Sequence, residues 1–151
     1  MIDGVAVKKL RVIPDGRGRL MELLRSDEEM FEKFGQVYIT VVNPGVVKGW
    51  HYHKKQTDHI ACISGMMKLV LYDTREKSPT YGQVNEFYCG IHSPVLVKIP
   101  PLVAHGMMCI GSVETIAMNV PTELYNYTEP DEFRIAPHSG EIPYEWTVKD
   151  G

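Results

Sequence analysis

The feature that most constrains this chain is the rhythm of its apolar segments. Seven short β-rich runs follow one another at residues 37–43, 60–64, 66–73, 84–88, 94–99, 106–110 and 115–120, separated by Gly, Pro, Asn and Asp. Each is strand length, and none approaches the length of a membrane-spanning helix. Strands this short bury a face only by packing one sheet against another, so the pattern predicts an all-β sandwich or barrel. Ser64-Gly65-Met66 joins two of the runs and predicts a tight hairpin, with glycine supplying a positive φ. One short helix is predicted over 27–34, where Ser26 and Glu29 have the spacing of a capping box ahead of Met30, Phe31 and Phe34. From about residue 121 the composition changes, and Pro130, Pro137 and Pro143 mark an irregular tail anchored across the barrel by Tyr144 and Trp146.

A chain of 151 residues fits a single domain over 1–151 with one sizeable core. Its 16 basic and 19 acidic residues give a formal net charge of -3, which carries no electrostatic footprint for nucleic acid or an anionic membrane. Cys62, Cys89 and Cys109 are odd in number and set in apolar runs, the pattern of buried thiols in a reducing compartment. Met1-Ile2-Asp3-Gly4 lacks the basic flank and apolar stretch of a secretory leader. The expectation is a soluble cytoplasmic protein.

The histidines point to a site. His51, His53 and His59 fall close together, and His105 follows the pair Pro100-Pro101. In a strand, His51 and His53 share one face while Trp50 and Tyr52 take the other. Two imidazoles facing an apolar barrel interior need polar partners or a solvated pocket. Imidazole ordinarily titrates at about 6.5, so these rings suit either proton transfer or metal ligation.

Both uses find support in family patterns. The segment from Gly45 through His51, His53 and His59 to Gly65, followed by Pro100 and His105, resembles the metal-binding pattern of the cupin superfamily, with His59 near the usual glutamate. On that pattern His51, His53, His59 and His105 would hold zinc, iron, manganese or nickel. Over a longer span, Asp15 to Arg134, the chain resembles the dTDP-4-dehydrorhamnose 3,5-epimerase family, a metal-independent branch of the cupins. The shared motifs run in order: Asp15-Gly16-Arg17-Gly18, Lys48-Gly49-Trp50-His51-Tyr52, the block from Asp73 and Arg75 through Ser78-Pro79-Thr80-Tyr81-Gly82, Ile99-Pro100 through Ala104-His105-Gly106 with Leu102 where glycine is usual, and Pro121-Thr122 with Tyr125, Pro130 and Glu132.

The resemblance implies a cupin-type jelly roll, a homodimer, and epimerisation of a nucleotide-linked, dTDP-type 4-keto-6-deoxy sugar for surface polysaccharide synthesis, with no cofactor. It assigns His51 as general base and Tyr125 as the acid on the opposite face, with Tyr127 the neighbouring candidate. Arg17 and Lys48 would hold the diphosphate, and Asn43, His53 and His105 would shape the sugar site. Asp73 and Arg75 are read as a structural ion pair. The chain also departs from the family. The lysine that stabilises the enolate is replaced by Asp58 or His59 in a shortened loop, leaving Lys54, Lys55 or Lys68 as substitutes. His53 stands in place of a glutamine, Met118 in place of a second tyrosine, and the aspartate that orients the histidine matches only Asp150. Two alternatives stay open, a metal-dependent cupin built on the four histidines and a sugar-binding cupin without catalysis.

Overall fold

The computed structural model describes residues 1–147. Their strands are β1 (Ala6–Lys9), β2 (Val12–Asp15), β3 (Gly18–Met21), β4 (Tyr38–Val42), β5 (Val47–Tyr52), β6 (Asp58–Ser64), β7 (Met66–Asp73), β8 (Val84–Gly90), β9 (Val95–Ile99), β10 (Val103–Cys109), β11 (Thr115–Asn119) and β12 (Phe133–Arg134). One sheet has the order β1-β9-β6-β11-β4, the other β12-β5-β10-β7-β8, and β2 pairs only with β3. All pairings are antiparallel. The two five-stranded sheets face each other as a jelly roll. Between them lie Val42, Ile60, Cys62, Val97, Ile99 and Ala117 from the first sheet against Met67, Leu69, Leu71, Cys89, Val103, Met107 and Cys109 from the second. All three cysteines are buried and free.

The outer faces are covered as well, by irregular chain. On the first sheet, Leu10, Ala61 and Leu96 pack under Met21, Leu23, Leu24 and Met30. On the second, Trp50, Val70, Ala104 and Met108 pack under Ile142 and Trp146. Tyr144 meets Trp50 edge to face at 5.7 Å, as the predicted tail anchors require. This double cover explains why β6 and β10 read as continuous apolar runs rather than alternating ones.

Two expectations change here. The predicted helix over 27–34 is turns through residue 30 and irregular chain beyond, and no helix occurs among the described residues. Side chains and backbone in this segment are committed elsewhere. Glu28 grips Lys8 through both carboxylate oxygens at 2.8 and 2.7 Å, Arg25 pairs with Glu22 and Asp27, and the Met30 carbonyl accepts from His59 Nε2 at 2.9 Å instead of serving a helical ladder. The Gly65 junction has the expected positive φ of 72°, yet it is no hairpin, because β6 and β7 belong to opposite sheets. Gly65 turns the chain across the sandwich, and a Cβ there would stand 2.7 Å from the Glu114 carbonyl oxygen.

Asp73 and Arg75 form the expected structural pair. Arg75 Nε and Nη2 donate to the two Asp73 oxygens at 2.7 and 2.9 Å, and Ser78 and Thr80 hydroxyls add bonds of 2.6 Å each. Those donors outweigh burial and hold the Asp73 carboxyl far below its usual range.

Candidate active site

Strands β5 and β10 run antiparallel with His51 directly opposite His105, their ring centroids 4.0 Å apart. Past His105 the register slips before Met107. Gly106 sits at this slip because there is no room for a side chain: a Cβ would lie 2.8 Å from Gly49 Cα and 2.9 Å from Trp146 Cζ2. Upstream, Pro100-Pro101 leads into Leu102, whose φ of 60° is the one positive value at a non-glycine residue among the described residues, which accounts for the glycine usual at that place. Leu102 N donates to the His53 carbonyl at 2.7 Å, and Thr74 Oγ1 to the Leu102 carbonyl at 2.7 Å, so this turn is tied to the end of β5.

The centre of the cluster is a carboxylate that strand alternation around the histidines does not reveal. Asp58, at the start of β6, is 1% exposed. Its Oδ1 accepts from Gln56 Nε2 at 2.7 Å and from Asn119 Nδ2 at 2.8 Å. Its Oδ2 lies 3.2 Å from His53 Nε2 and 3.2 Å from His105 Nε2. The far side of each ring is fixed by backbone: His53 Nδ1 donates to the Asp131 carbonyl and His105 Nδ1 to the Val103 carbonyl at 3.1 Å. A carbonyl only accepts, so both Nδ1 atoms carry protons. The Asp131 carboxylate in turn accepts the backbone N–H groups of Lys54, Lys55 and Gln56, which shapes the loop between His53 and Asp58.

Burial alone would raise the Asp58 carboxyl, but the adjacent His105 and His53 hold it well below the usual carboxylate range. For His53 burial pulls downward, and the contact with Asp58 overcomes it, leaving that ring raised above its ordinary value. His51 goes the other way. Burial and the neighbouring His105 push it well below 6.5, so it is neutral at physiological pH. No described residue hydrogen-bonds a His51 ring nitrogen.

His51 and His53 line the floor of a cavity of about 1010 Å³ between the sheets, with Asp58 and His105 packed behind them. Lys48 and His51 line it from β5 and His53 from just beyond its end, Tyr125 and Tyr127 from the segment after β11, and Tyr38 from edge strand β4. Tyr125 and Tyr127 pack edge to face at 5.0 Å, Tyr125 half exposed and Tyr127 90% exposed. Asn119 Nδ2 also donates to the Tyr38 hydroxyl at 2.9 Å, while burial and the Asp58 charge push that phenol up to about 12. Arg134, opposite His51 in the β12–β5 pairing, adds a cation to the wall.

Of the residues singled out in the sequence, His51, His53, Lys48 and Tyr125 line the cavity and His105 abuts its floor. The others do not. His59 points away, with Nδ1 against the Val120 carbonyl and Nε2 against that of Met30, both at 2.9 Å, so it leaves the four-histidine set and Asp58 takes its place. Asn43 is exposed in a turn in which its carbonyl accepts Val46 N. Arg17 lies on the exposed β2–β3 hairpin, paired with Asp15. Alternation along β11 sends Ala117 and Asn119 into the cavity and Met118 to the other side. Lys68 is on the outer face of β7, donating to the Thr147 carbonyl at 2.9 Å and lying over Tyr144 and Trp146. Lys54 stacks on Phe133, which leaves Lys55 as the cavity lysine of the three. Asp150 lies outside the described residues. Asp58, Tyr38, Asn119, Asp131 and Arg134 were missed. Only Asp58 had a readable signal, an acid five residues after His53 at the head of an apolar strand.

A protein-family profile described as dTDP-4-dehydrorhamnose 3,5-epimerase matches residues 1–150. The chain is 42% identical to the spore coat polysaccharide biosynthesis protein SpsL of Bacillus subtilis, with 99% of each chain covered. It is 39% identical to the probable low-salt glycan biosynthesis epimerase Agl13 of Haloferax volcanii, covering 98% of this chain and 96% of that one. Among solved structures, a dTDP sugar isomerase from Desulfovibrio desulfuricans superposes with a TM-score of 0.92 at 31% identity, covering 99% of this chain and 94% of that one.

Proposed function

The chain belongs to the dTDP-4-dehydrorhamnose 3,5-epimerase family, and from that premise we propose that it epimerises a nucleotide-linked, dTDP-type 4-keto-6-deoxy sugar in the synthesis of a polysaccharide or glycan precursor. The observation that carries this reading is His51. It is a neutral imidazole on the cavity floor whose ring nitrogens no described residue occupies, set opposite a phenol at the rim. A hydrogen α to a ketone is acidic enough for imidazole to remove, provided the enolate is stabilised, and reprotonation from the opposite face inverts the carbon.

In this mechanism His51 takes the proton and Tyr125 returns one from the other side. His105, held by Val103 and Asp58, keeps the His51 ring in place and with His53 bounds the sugar site. Lys48 holds the diphosphate through its charge. The family's usual aspartate partner is replaced by Asp58, which acts on His51 through His105.

We read 1–151 as one catalytic domain working as a cytoplasmic homodimer. No helix among the described residues is long and apolar enough to cross a membrane. The β2–β3 hairpin pairs with neither large sheet and exposes Val12, Ile13 and Leu20, and β4 presents a free edge with Ile39 exposed. A second copy covering these surfaces would bring Arg17, which stands outside its own subunit's cavity, to the diphosphate end of the partner's site.

The test is NMR of dTDP-4-keto-6-deoxyglucose incubated with the protein in deuterium oxide. Loss of the C3 or C5 proton signal is expected, and His51→Asn should abolish it while nucleotide-sugar binding persists. Exchange that survives in His51→Asn would refute the assigned base.

A further inference from the structure

We infer that Tyr38 is a further catalytic residue, whose hydroxyl donates a hydrogen bond to the ketone oxygen of the sugar and stabilises the enolate that His51 creates. The inference rests on the epimerase reading and deepens it, because deprotonation beside a ketone needs a donor for the charge that builds on oxygen.

The hydrogen bonds around Asn119 fix which way the phenol proton points. The His59 backbone N–H can only donate, and it reaches Asn119 Oδ1 at 3.0 Å. The ionised Asp58 carboxylate can only accept, and its Oδ1 lies 2.8 Å from Asn119 Nδ2. The two contacts agree on the orientation of the amide. Its second Nδ2 proton goes to the Tyr38 oxygen at 2.9 Å. Tyr38 is therefore the acceptor in that bond, and no described residue receives its own O–H proton. A hydroxyl held in this way donates in another direction, and Tyr38 lines the same cavity as His51.

The position suits a ketone oxygen next to the carbon that His51 attacks. Tyr38 and Asn119 are paired across β4 and β11, so sheet register holds both. One amide nitrogen separates the Tyr38 hydroxyl from Asp58 Oδ1, and a His51 ring nitrogen lies within 4.8 Å of an oxygen of that carboxylate. One sugar ring can thus meet the base at a ring carbon and the phenol at the neighbouring carbonyl oxygen. The other donors of the cavity are committed or unfixed. His53, His105 and Gln56 are turned to Asp58, Lys55 is exposed, and the Arg134 side chain is 81% exposed and paired with Glu132. An oxyanion is best stabilised by a donor already held in place. Burial, the Asp58 charge and, less strongly, Glu132 push the phenol up to about 12 against the opposing bond from Asn119, so it remains a donor throughout the neutral range.

In this step His51 takes a proton from the carbon α to the ketone, the C–H pair forms a carbon–carbon double bond, and the carbonyl π pair moves onto oxygen. Tyr38 donates to that oxygen and keeps its proton. As the charge flows back, Tyr125 delivers a proton to the opposite face, and water restores Tyr125 and His51.

The test follows dTDP-4-keto-6-deoxyglucose in deuterium oxide with wild type, Tyr38→Phe and Tyr38→3-fluorotyrosine, each checked for folding by circular dichroism and dTDP binding. Tyr38→Phe should slow deuterium wash-in and inversion by the same ~10²–10³-fold in kcat with little change in KM, because both pass through one enolate. Fluorotyrosine, a stronger acid, should keep exchange near neutral pH and lose it at lower pH than wild type does, as the phenol ionises. A Tyr38→Phe protein as fast as wild type, a loss carried by KM alone, or an unmoved alkaline limb in the fluorotyrosine protein would overturn the inference. So would slowed inversion with normal wash-in, which makes Tyr38 an acid rather than the enolate's donor. If Tyr38→Phe does not fold, the fluorotyrosine profile decides alone. Wild-type exchange that is indifferent to Tyr38 leaves the epimerase reading standing, and no exchange in the wild type overturns both.

Discussion

His51 should make the fold sensitive to acid, and replacing it by Asn should remove that sensitivity. In the native state burial and the His105 ring hold His51 well below its ordinary value, while in the unfolded chain it titrates at about 6.5. Below that pH the unfolded chain binds a proton that the native state refuses, so stability rises with pH through this window and falls as acid is added. Below about pH 6.5, each further pH unit over which the native ring stays neutral costs at most ~1.4 kcal/mol, a bound that solvent reaching the ring reduces. His53 is raised instead, so its contribution is full below about 6.5 and is lost as pH rises through its native value, outside the His51 window. Urea unfolding, read by fluorescence of the buried Trp50 and Trp146, should give wild-type midpoints that fall across this range more steeply than those of His51→Asn. Parallel pH profiles for the two proteins would refute the neutral, buried base.

Other positions test the frame and the chemistry. Gly106→Ala drives a methyl into Gly49 Cα, Trp146 Cζ2 and the Lys48 carbonyl, so it should lower stability by about 1–3 kcal/mol in urea titration. Trp146→Ala strips the cover from Trp50 and should cost about 3–5 kcal/mol, with little change in the far-ultraviolet spectrum because the sheets remain. Tyr125→Phe should leave deuterium wash-in at the substrate carbon largely intact while slowing inversion by ~10²-fold or more; equal loss of both would place Tyr125 outside the reprotonation step, and an unaffected variant would shift the role to Tyr127.

Much of the architecture was legible because period and punctuation agree in the central strands. The runs at 66–73 and 84–88 correspond to β7 and β8, and 37–43, 94–99 and 115–120 enclose β4, β9 and β11. The first three strands escaped notice for a physical reason. Each has four residues, β2 and β3 are almost wholly exposed, and β2 contains Pro14, so none carries the apolar alternation that reports a half-buried strand. The helix expected at 27–34 had a locally sound capping signal. It lost to long-range partners, since Met30 serves both the outer cluster and the His59 ring, and Glu28 serves Lys8. Local propensity could not foresee that this segment was needed as a lid for Ala61 and Leu96.

The site was half legible, and the missing half decides its chemistry. Strand alternation put His51 and His53 on one face, and the Pro100-Pro101 turn delivered His105 to them. Reading Asp58 as a misplaced lysine position concealed what it does. Sheet pairing sets the start of β6 beneath the end of β5, a contact between strands that are neighbours in sequence but lie in opposite sheets. Around that carboxylate the three histidines become unequal. His53 and His105 are each locked at Nδ1 by a carbonyl and turned with Nε2 toward Asp58, whereas the His51 ring is pressed against His105 with no hydrogen bond to any described residue. Two rings are therefore committed to the charge at the floor, and only the third can accept a proton from something in the cavity. That inequality follows from position around Asp58, and it is why His51→Asn and Asp58→Asn should fail in different ways, the first by losing carbon deprotonation outright and the second by slowing it through a displaced His105.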